Sequence, residues 1–287
     1  MGVVGVGHMG LGMALRLLDL GYPVHVRDID AARESLALQH GATVHADAES
    51  VARVSAALIV AVVDGAQTHQ VLFGERGAAH GLAPGTTVLL CPTISPRDVE
   101  GTAAALERQG VDCIDAPMSG GPARARDGTM SLMVACADAV FERWQGLLGD
   151  LSTRLCRIGP VPGDGARTKL VNNLLAAVNL AGAAEAMALA QQLGLDPAVT
   201  LAVIEQSSGQ SWIGSDRMRR ALAGDPAVHA QMALLAKDSA LALDAARQAG
   251  FDARLGRAAG ACFAAAIAAG LQGQDDSTLW LWLRPAG

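Results

Sequence analysis

Residues 3–28 read VVGVGHMGLGMALRLLDLGYPVHVRD, and few folds accommodate that order of segments. A β-branched run leads into Gly5, Gly7 and Gly10 at G-x-G-x-x-G spacing. A helix-length stretch (9–20) opens there. A second strand, PVHVRD, then ends in an acid at Asp28, 18 residues past Gly10. In a βαβ unit each glycine has its own task. Gly5 permits the tight turn, Gly7 lets the backbone approach a pyrophosphate, and Gly10 lets helix and strand pack closely. The helix start, with His8 and Met9, adds amides and a positive dipole end for phosphate. Asp28 suits the ribose hydroxyls of an adenosine and repels a 2′-phosphate. Ile29 follows it where a phosphate-binding arginine would stand, although Arg27 and Arg33 are near in sequence. The expected cofactor is NAD rather than NADP. A structural glycine turn with a surface acid is the alternative, and the strand–helix–strand context argues against it.

The alternation continues. Strand-like runs recur at 56–63, 86–91, 111–116 and 128–135, and helix-length stretches at 31–39, 67–73, 96–109 and 139–148. Such an order implies right-handed crossovers and a doubly wound, mostly parallel sheet. The all-apolar AALIVAVV fits a strand covered on both faces. After Gly165 the chain becomes Ala- and Leu-rich helix, with breaks at 194–197, 207–211, 224–226, 250–252 and 270–276. We expect two domains: an α/β Rossmann domain over 1–162 that binds NAD, and an all-α substrate and dimerisation domain over 163–287. Ligand clefts favour such junctions.

A net charge of -6 disfavours nucleic acid or an anionic membrane as partner. Five scattered cysteines without CxxC spacing read as reduced thiols of a cytoplasmic protein, and the seven histidines form no metal-ligand pattern. The N-terminus lacks the basic region of a signal peptide. Asn179 and Glu185 interrupt the longest apolar run, so a soluble protein is expected.

Two further stretches carry chemistry. DAPMSGGPARARDGTM (115–130) offers the Ser119 hydroxyl and the unhindered amides of Gly120 and Gly121, a turn able to wrap a carboxylate. An ordinary Gly/Pro connection is the competing reading. GDGARTKLVNN (163–173) sets polar groups at the mouth of an apolar helix, where they need partners if buried. Lys169 and Asn173 share one face. The helix dipole and burial both lower the pKa of Lys169 toward the range where it can exchange a proton with an alcohol. A solvated lysine is the plainer explanation of that pair taken alone. Arg217 is a candidate guanidinium for a substrate carboxylate. Lys237 either pairs with Asp238 or leans toward a nicotinamide.

Together, in this order, these motifs resemble the β-hydroxyacid dehydrogenase family, over nearly the whole chain. GVGHMGLGMA is similar to its nucleotide motif, and PTISP (92–96) to the loop that sets a hydroxyl, here Thr93, near the nicotinamide ribose. DAPMSGGPARARDGTM resembles its substrate signature. GARTKLVNN resembles its G-x-x-x-K-x-x-x-N signature, with Gly165, Lys169 and Asn173 in place. KDSALAL resembles its C-terminal Lys-Asp motif at Lys237. The resemblance implies an NAD-dependent oxidoreductase of a small hydroxy acid, a helical domain like that of 6-phosphogluconate dehydrogenase, and a homodimer or homotetramer. It implies Lys169 as acid/base with Asn173 beside it, and Ser119, Gly120, Gly121 and Arg217 toward the substrate. Gly5, Gly7, His8, Met9, Gly10, Asp28, Val63, Asp64, Thr93 and Lys237 are expected to hold the cofactor, with no metal. QSWIGSDR (210–217) is similar to a segment of the L-threonate dehydrogenase branch, which points to a polyhydroxylated acid. Rival readings are an imine reductase, a 6-phosphogluconate-type enzyme, for which we identify no phosphate-binding residues, and a non-catalytic NAD-binding regulatory module.

Overall fold

Strand, helix and cap signals divide the first half of the chain finely. The computed structural model describes residues 1–284 and separates them into two compact units, Met1–Lys169 and the chain from Leu170 onward. The first unit opens with β1 (Gly2–Val4), α1 (His8–Asp19), β2 (His25–Arg27), α2 (Ala31–Gln39), β3 (Thr43–Val44) and α3 (Ala48–Arg53). It continues with β4 (Ala57–Val60), α4 (Gly65–Phe73), β5 (Thr87–Leu90), α5 (Pro96–Glu107) and β6 (Asp112–Asp115). β7 (Met118–Ser119), α6 (Gly121–Asp127), β8 (Ser131–Ala135), α7 (Asp138–Leu151) and β9 (Arg154–Gly159) follow. Short polar caps start several of these helices. Asp30, Asp47, Asp64 and Ser95 each accept an amide of the first turn, and Pro96 sits where its missing N–H costs nothing.

The strands form one sheet in the order β3-β2-β1-β4-β5-β6-β8-β7, with β9 beside β8. From β3 to β6 every neighbour is parallel; β6–β8 and β7–β8 are antiparallel. Alternate residues serve opposite faces, as a pleated strand requires. Val3, Ile59 and Leu89 pack with Met13 and Leu17 of α1 and with Leu147, Leu148 and Leu151 of α7. Val4, Leu58, Val60, Val88 and Leu90 pack on the other side with Val51 of α3, Leu72 of α4, and Val99 and Leu106 of α5. The sheet is thus covered twice, the arrangement the unbroken apolar strands imply.

Helix α8 (Asp164–Gln192) begins in the first unit and continues through the boundary. The second unit adds α9 (Pro197–Glu205), α10 (Trp212–Ala223), α11 (Met232–Gln248), α12 (Arg254–Ala268) and α13 (Thr278–Leu283). The gaps between them coincide with the five breaks read from the sequence. Leu180, Ala184 and Met187 of α8 centre its core, with Met218, Met232, Phe263, Leu279 and Trp280. At 29 residues, α8 has no single apolar face, and among the described residues it is the one helix long and apolar enough to cross a membrane.

A compact ion cluster locks the end of this unit. Arg220 of α10 holds Asp275 at 2.8 Å, and Arg217 holds Asp276 at 2.9 Å. Burial pushes the Asp275 carboxyl up. Hydrogen bonds from Ser277, Ala230 and Arg220 overcome that and hold it at about 2. All five cysteines are free, with Cys91, Cys113 and Cys136 buried.

Candidate active site

The glycine loop explains itself by space. Gly5 takes φ +88°, and a side chain there would meet the Ala61 carbonyl at 2.7 Å. A methyl on Gly10 would lie 1.9 Å from the Gly5 carbonyl oxygen, so helix α1 and the turn touch backbone to backbone. Beside Gly7 a methyl would meet nothing within 4 Å. The three roles expected from the motif are therefore separate in this chain: turn, open approach and close packing. Gly7 is also the N-cap of α1 and provides no side-chain cap, which leaves the first-turn amides of His8, Met9 and Gly10 without one. A pyrophosphate supplies the acceptors such a helix start lacks. The residues present fit a dinucleotide.

Asp28 does more than the sequence suggests. Its Oδ2 accepts from the Val6 amide at 2.6 Å and its Oδ1 from the Asp30 amide at 2.9 Å. It therefore ties the glycine loop to the end of β2. Each carboxylate oxygen keeps a second lone pair for a ribose hydroxyl. Around it, Arg27 is paired with Glu34 at 2.7 Å. Arg33 lies 3.0 Å from His8 Nε2. Arginine only donates, so that nitrogen accepts and His8 is neutral. Burial, then the Arg33 charge, lowers the His8 pKa, in agreement.

The other candidates of the first unit fall on the same edge of the sheet, because parallel strands present their C-terminal ends together. Val63 and Asp64 follow β4, Thr93 follows β5, and Ser119, Gly120 and Gly121 follow β6. Asp64 spends one oxygen on the Gln67 amide as N-cap of α4. Val63 is half-exposed. Gly120 takes φ +132° and caps α6, so the turn after Ser119 needs a residue without Cβ strain.

At the start of α8 two polar groups, Lys169 and Asn173, are buried, while Arg167 and Asn172 face solvent. Lys169 is 7 % exposed and Asn173 6 %. Burial of Lys169 itself argues against the solvated-lysine reading, on a helix mouth that also exposes Arg167 and Asn172. In the second unit Asn173 donates to Asp238 Oδ2 at 2.6 Å and accepts from Asn172 at 3.0 Å. Lys237 lies 2.9 Å from Asp238 Oδ1, the pairing weighed from the sequence. Asp238 is thus the anchor of Asn173, a role the sequence did not reveal. Arg217, expected toward a substrate carboxylate, has other partners. Its guanidinium is bonded to Asp276 and Asp216 and lies 5.7 Å from the Trp212 ring.

One buried acid was missed altogether. Asp115 is 1 % exposed at the end of β6. Its Oδ2 accepts from the amides of Gly163 at 2.8 Å and Ala166 at 3.0 Å. Burial outweighs these bonds and pushes its carboxyl up to about 6. The fold thus favours the protonated form. Going up in pH from the ordinary carboxylate range through about 6, stability falls, and the charged form then costs about 3 kcal/mol.

Comparison with known proteins settles the family. The profile for the NAD binding domain of 6-phosphogluconate dehydrogenase matches residues 1–159. The profile described as NAD-binding of NADP-dependent 3-hydroxyisobutyrate dehydrogenase matches residues 163–283. The L-threonate dehydrogenase of Escherichia coli K12 is 37 % identical over 97 % of this chain and 92 % of its own. The chain belongs to the β-hydroxyacid dehydrogenase family. As a β-hydroxyacid dehydrogenase it is an NAD-linked oxidoreductase acting on the CH–OH group of a small hydroxy acid. A crystal structure of 3-hydroxyisobutyrate dehydrogenase from Salmonella typhimurium superposes with TM-score 0.91 at 35 % identity, covering 98 % of both chains. An imine reductase from Pseudomonas sp. reaches TM-score 0.67 at 22 % identity, covering 98 % of this chain and 97 % of its own, a likeness of fold alone.

A composition signal within this dehydrogenase went unused in reading its sequence. Of 22 basic residues only two are lysines, Lys169 and Lys237. Wherever a fixed positive charge suffices the chain uses arginine. Both lysines stand in the motifs singled out from the sequence, and a compact ammonium that can lose its proton differs there from a guanidinium.

Proposed function

We propose that this protein is an NAD-preferring dehydrogenase of a polyhydroxylated acid, with L-threonate the first substrate to try. The observation that carries this reading is a buried lysine one turn into α8, with Asn173 anchored by Asp238 on the same helix face. Ser119 and the amides of Gly120 and Gly121 hold the substrate carboxylate. Lys169 takes the hydroxyl proton during oxidation and returns it during reduction. Asn173 orients Lys169 or the substrate hydroxyl. Gly5, Gly7, His8, Met9, Gly10, Asp28, Val63, Asp64, Thr93 and Lys237 hold the dinucleotide, which supplies the hydride chemistry when bound. Arg217 we assign to the ion cluster of the helical unit. The α/β unit carries cofactor binding over 1–162, and the helical part, 163–287, carries substrate selection and assembly. An imine reductase needs no such Lys–Asn pair, and a regulatory module needs no buried proton carrier.

The test is a panel of hydroxy acids assayed with NAD and NADP: L-threonate, glycerate, 3-hydroxyisobutyrate and tartronate semialdehyde. We expect L-threonate to give the highest kcat/KM and NAD to be preferred over NADP. The cofactor choice follows from Asp28, the exposed Ile29, and an Arg27 already paired with Glu34. Equal values for the two cofactors would mean that the end of β2 has been misread. Asp28→Asn is expected to narrow the preference by removing the repulsion of a 2′-phosphate.

Assembly follows from α8. Val171, Leu175, Leu189 and Leu193 are exposed and fall on one side of the helix path, with Val199 and Val203 of α9 exposed as well. An exposed apolar stripe of this length on one side of a helix calls for cover. We assign that cover to a second copy, giving a homodimer or homotetramer of a cytoplasmic protein rather than a membrane span. Light scattering at micromolar concentration should return at least twice the 29.3 kDa chain mass. A monomer mass would count against it.

A further inference from the structure

One buried charge has no part in that reaction. Besides its two amide bonds, Asp115 has a second oxygen, Oδ1, that is buried without a hydrogen-bond partner among the described residues. A buried carboxylate with an unsatisfied oxygen is costly. Asparagine or serine could accept the Gly163 and Ala166 amides without burying a charge. Capping α8 therefore does not account for an acid here. What the acid adds is charge, and helix geometry says where that charge acts.

A methyl on Gly165 would meet Asp115 Oδ2 at 2.9 Å and the Met133 carbonyl oxygen at 2.7 Å. The first turn of α8 lies directly on the carboxylate. Lys169 stands four residues on, on the same face, with Cβ positions about 5–6 Å apart for such a pair. Helix Cα–Cβ bonds tilt toward the N-terminus, so Lys169 leans over the turn that rests on Asp115. Asp115 also roots the segment that leads through Ala116 and Pro117 to Ser119. One residue seats both the helix of the lysine and the base of the loop.

We propose that Asp115 is a positioning residue for Lys169, a buried counter-charge that pins the first turn of α8 and sets the field in which the lysine gains and loses its proton. This rests on the reading of Lys169 as acid/base. The helix dipole and burial both press Lys169 to lose its proton. A carboxylate one turn below opposes them and keeps the ammonium within reach. The other titratable groups around Asp115 do not substitute for it. The Cys91 thiol is pushed up to about 12 by burial and by the Asp115 charge, and Cys113 is raised the same way, so both stay neutral. Asp164, in the first turn of α8, is part-exposed and paired with Arg167 at 2.8 Å; Arg167 is also bonded to Glu100.

The two-lysine composition makes the test direct. Full-length protein labelled with ¹³C at lysine Cε gives two side-chain signals, and Lys237→Arg assigns them. In the wild type the Lys169 signal should show a small step near pH 6, where Asp115 ionises, below its main titration. In Asp115→Asn the step should vanish and the main titration should move down by about one to two pH units, the size of a charge interaction across one helical turn. The rising limb of kcat for oxidation should move down with it, while KM changes little. An unmoved Lys169 titration overturns the proposal, as does a kcat lowered equally at every pH. Should Asp115→Asn fail to fold, the wild-type step decides, and its absence overturns the proposal. A Lys169→Ala variant with near wild-type kcat sinks the reading of Lys169 instead, and the NMR titration still judges the influence of Asp115.

Discussion

Lys169→Ala should lower kcat by about 10²- to 10⁴-fold, the usual contribution of a positioned acid/base, while the Kd for NADH changes little. The lysine is buried in the first turns of α8, whereas the glycine loop, Asp28 and the caps of α1 belong to separate elements. Lys169→Arg should not restore the rate. A guanidinium keeps its proton across the working range, so it cannot accept one from the alcohol. Asn173→Ala should cost less than Lys169→Ala, since it orients the proton transfer rather than performing it. Asp238→Asn should mimic Asn173→Ala in part, because Asp238 fixes the Asn173 amide. Oxidation should speed up with rising pH as Lys169 deprotonates. Near wild-type kcat for Lys169→Ala on the best substrate would remove the catalytic assignment.

The parts of the candidate site are local in sequence, which makes their arrangement legible there. G-x-G-x-x-G, PTISP, the Ser119 turn and the Lys169–Asn173 pair each sit within one loop or one helical turn, so spacing alone reports their geometry. The parallel strands follow from apolar runs closed by glycine and acid. What stayed hidden depends on partners distant in sequence or on very short elements. Two-residue strands such as Thr43–Val44 and Met118–Ser119 exist only through their neighbours' hydrogen bonds. Helix α6 lies in a GGPARARD stretch that reads as a turn, yet Pro122 occupies a first-turn position where proline starts helices. Arg217 looked free for a ligand because its partner, Asp276, lies 59 residues away. Asp238 anchors Asn173 across 65 residues. Asp115, the first residue of DAPMSGGPARARDGTM, carries no local signal that sets it apart, and only its burial under Gly163 and Ala166 marks it as costly.

Two glycines of the loop should respond in opposite ways to the same added methyl, and that contrast tests the cofactor site without any knowledge of the substrate. At Gly10 the new Cβ would stand 1.9 Å from the Gly5 carbonyl oxygen and 3.2 Å from Ala61 Cβ. Both neighbours belong to packed backbone or core, so α1 must move away from the sheet. Overpacking of that kind costs about 1–3 kcal/mol, which in a chain of this size lowers Tm by several degrees, roughly 2–4 °C per kcal/mol. NADH binding should weaken as well, because the shifted helix no longer aims its first-turn amides. At Gly7 the same methyl enters open space, with no atom within 4 Å. Gly7→Ala should therefore lower the cofactor-free Tm less than Gly10→Ala, by no more than the poorer N-cap alanine gives α1. Its main cost should come when a dinucleotide is present, since the methyl stands where the motif brings a pyrophosphate close to the backbone. We expect the Kd for NADH to rise by at least about tenfold, an energy near 1.4 kcal/mol. The thermal stabilisation that NADH gives the wild type should shrink by the same amount through mass action. A Gly7→Ala protein that binds NADH as tightly as the wild type would show that the open side of the loop is not where the phosphates lie, and would leave the helix start of α1 without the acceptors this fold is built to receive.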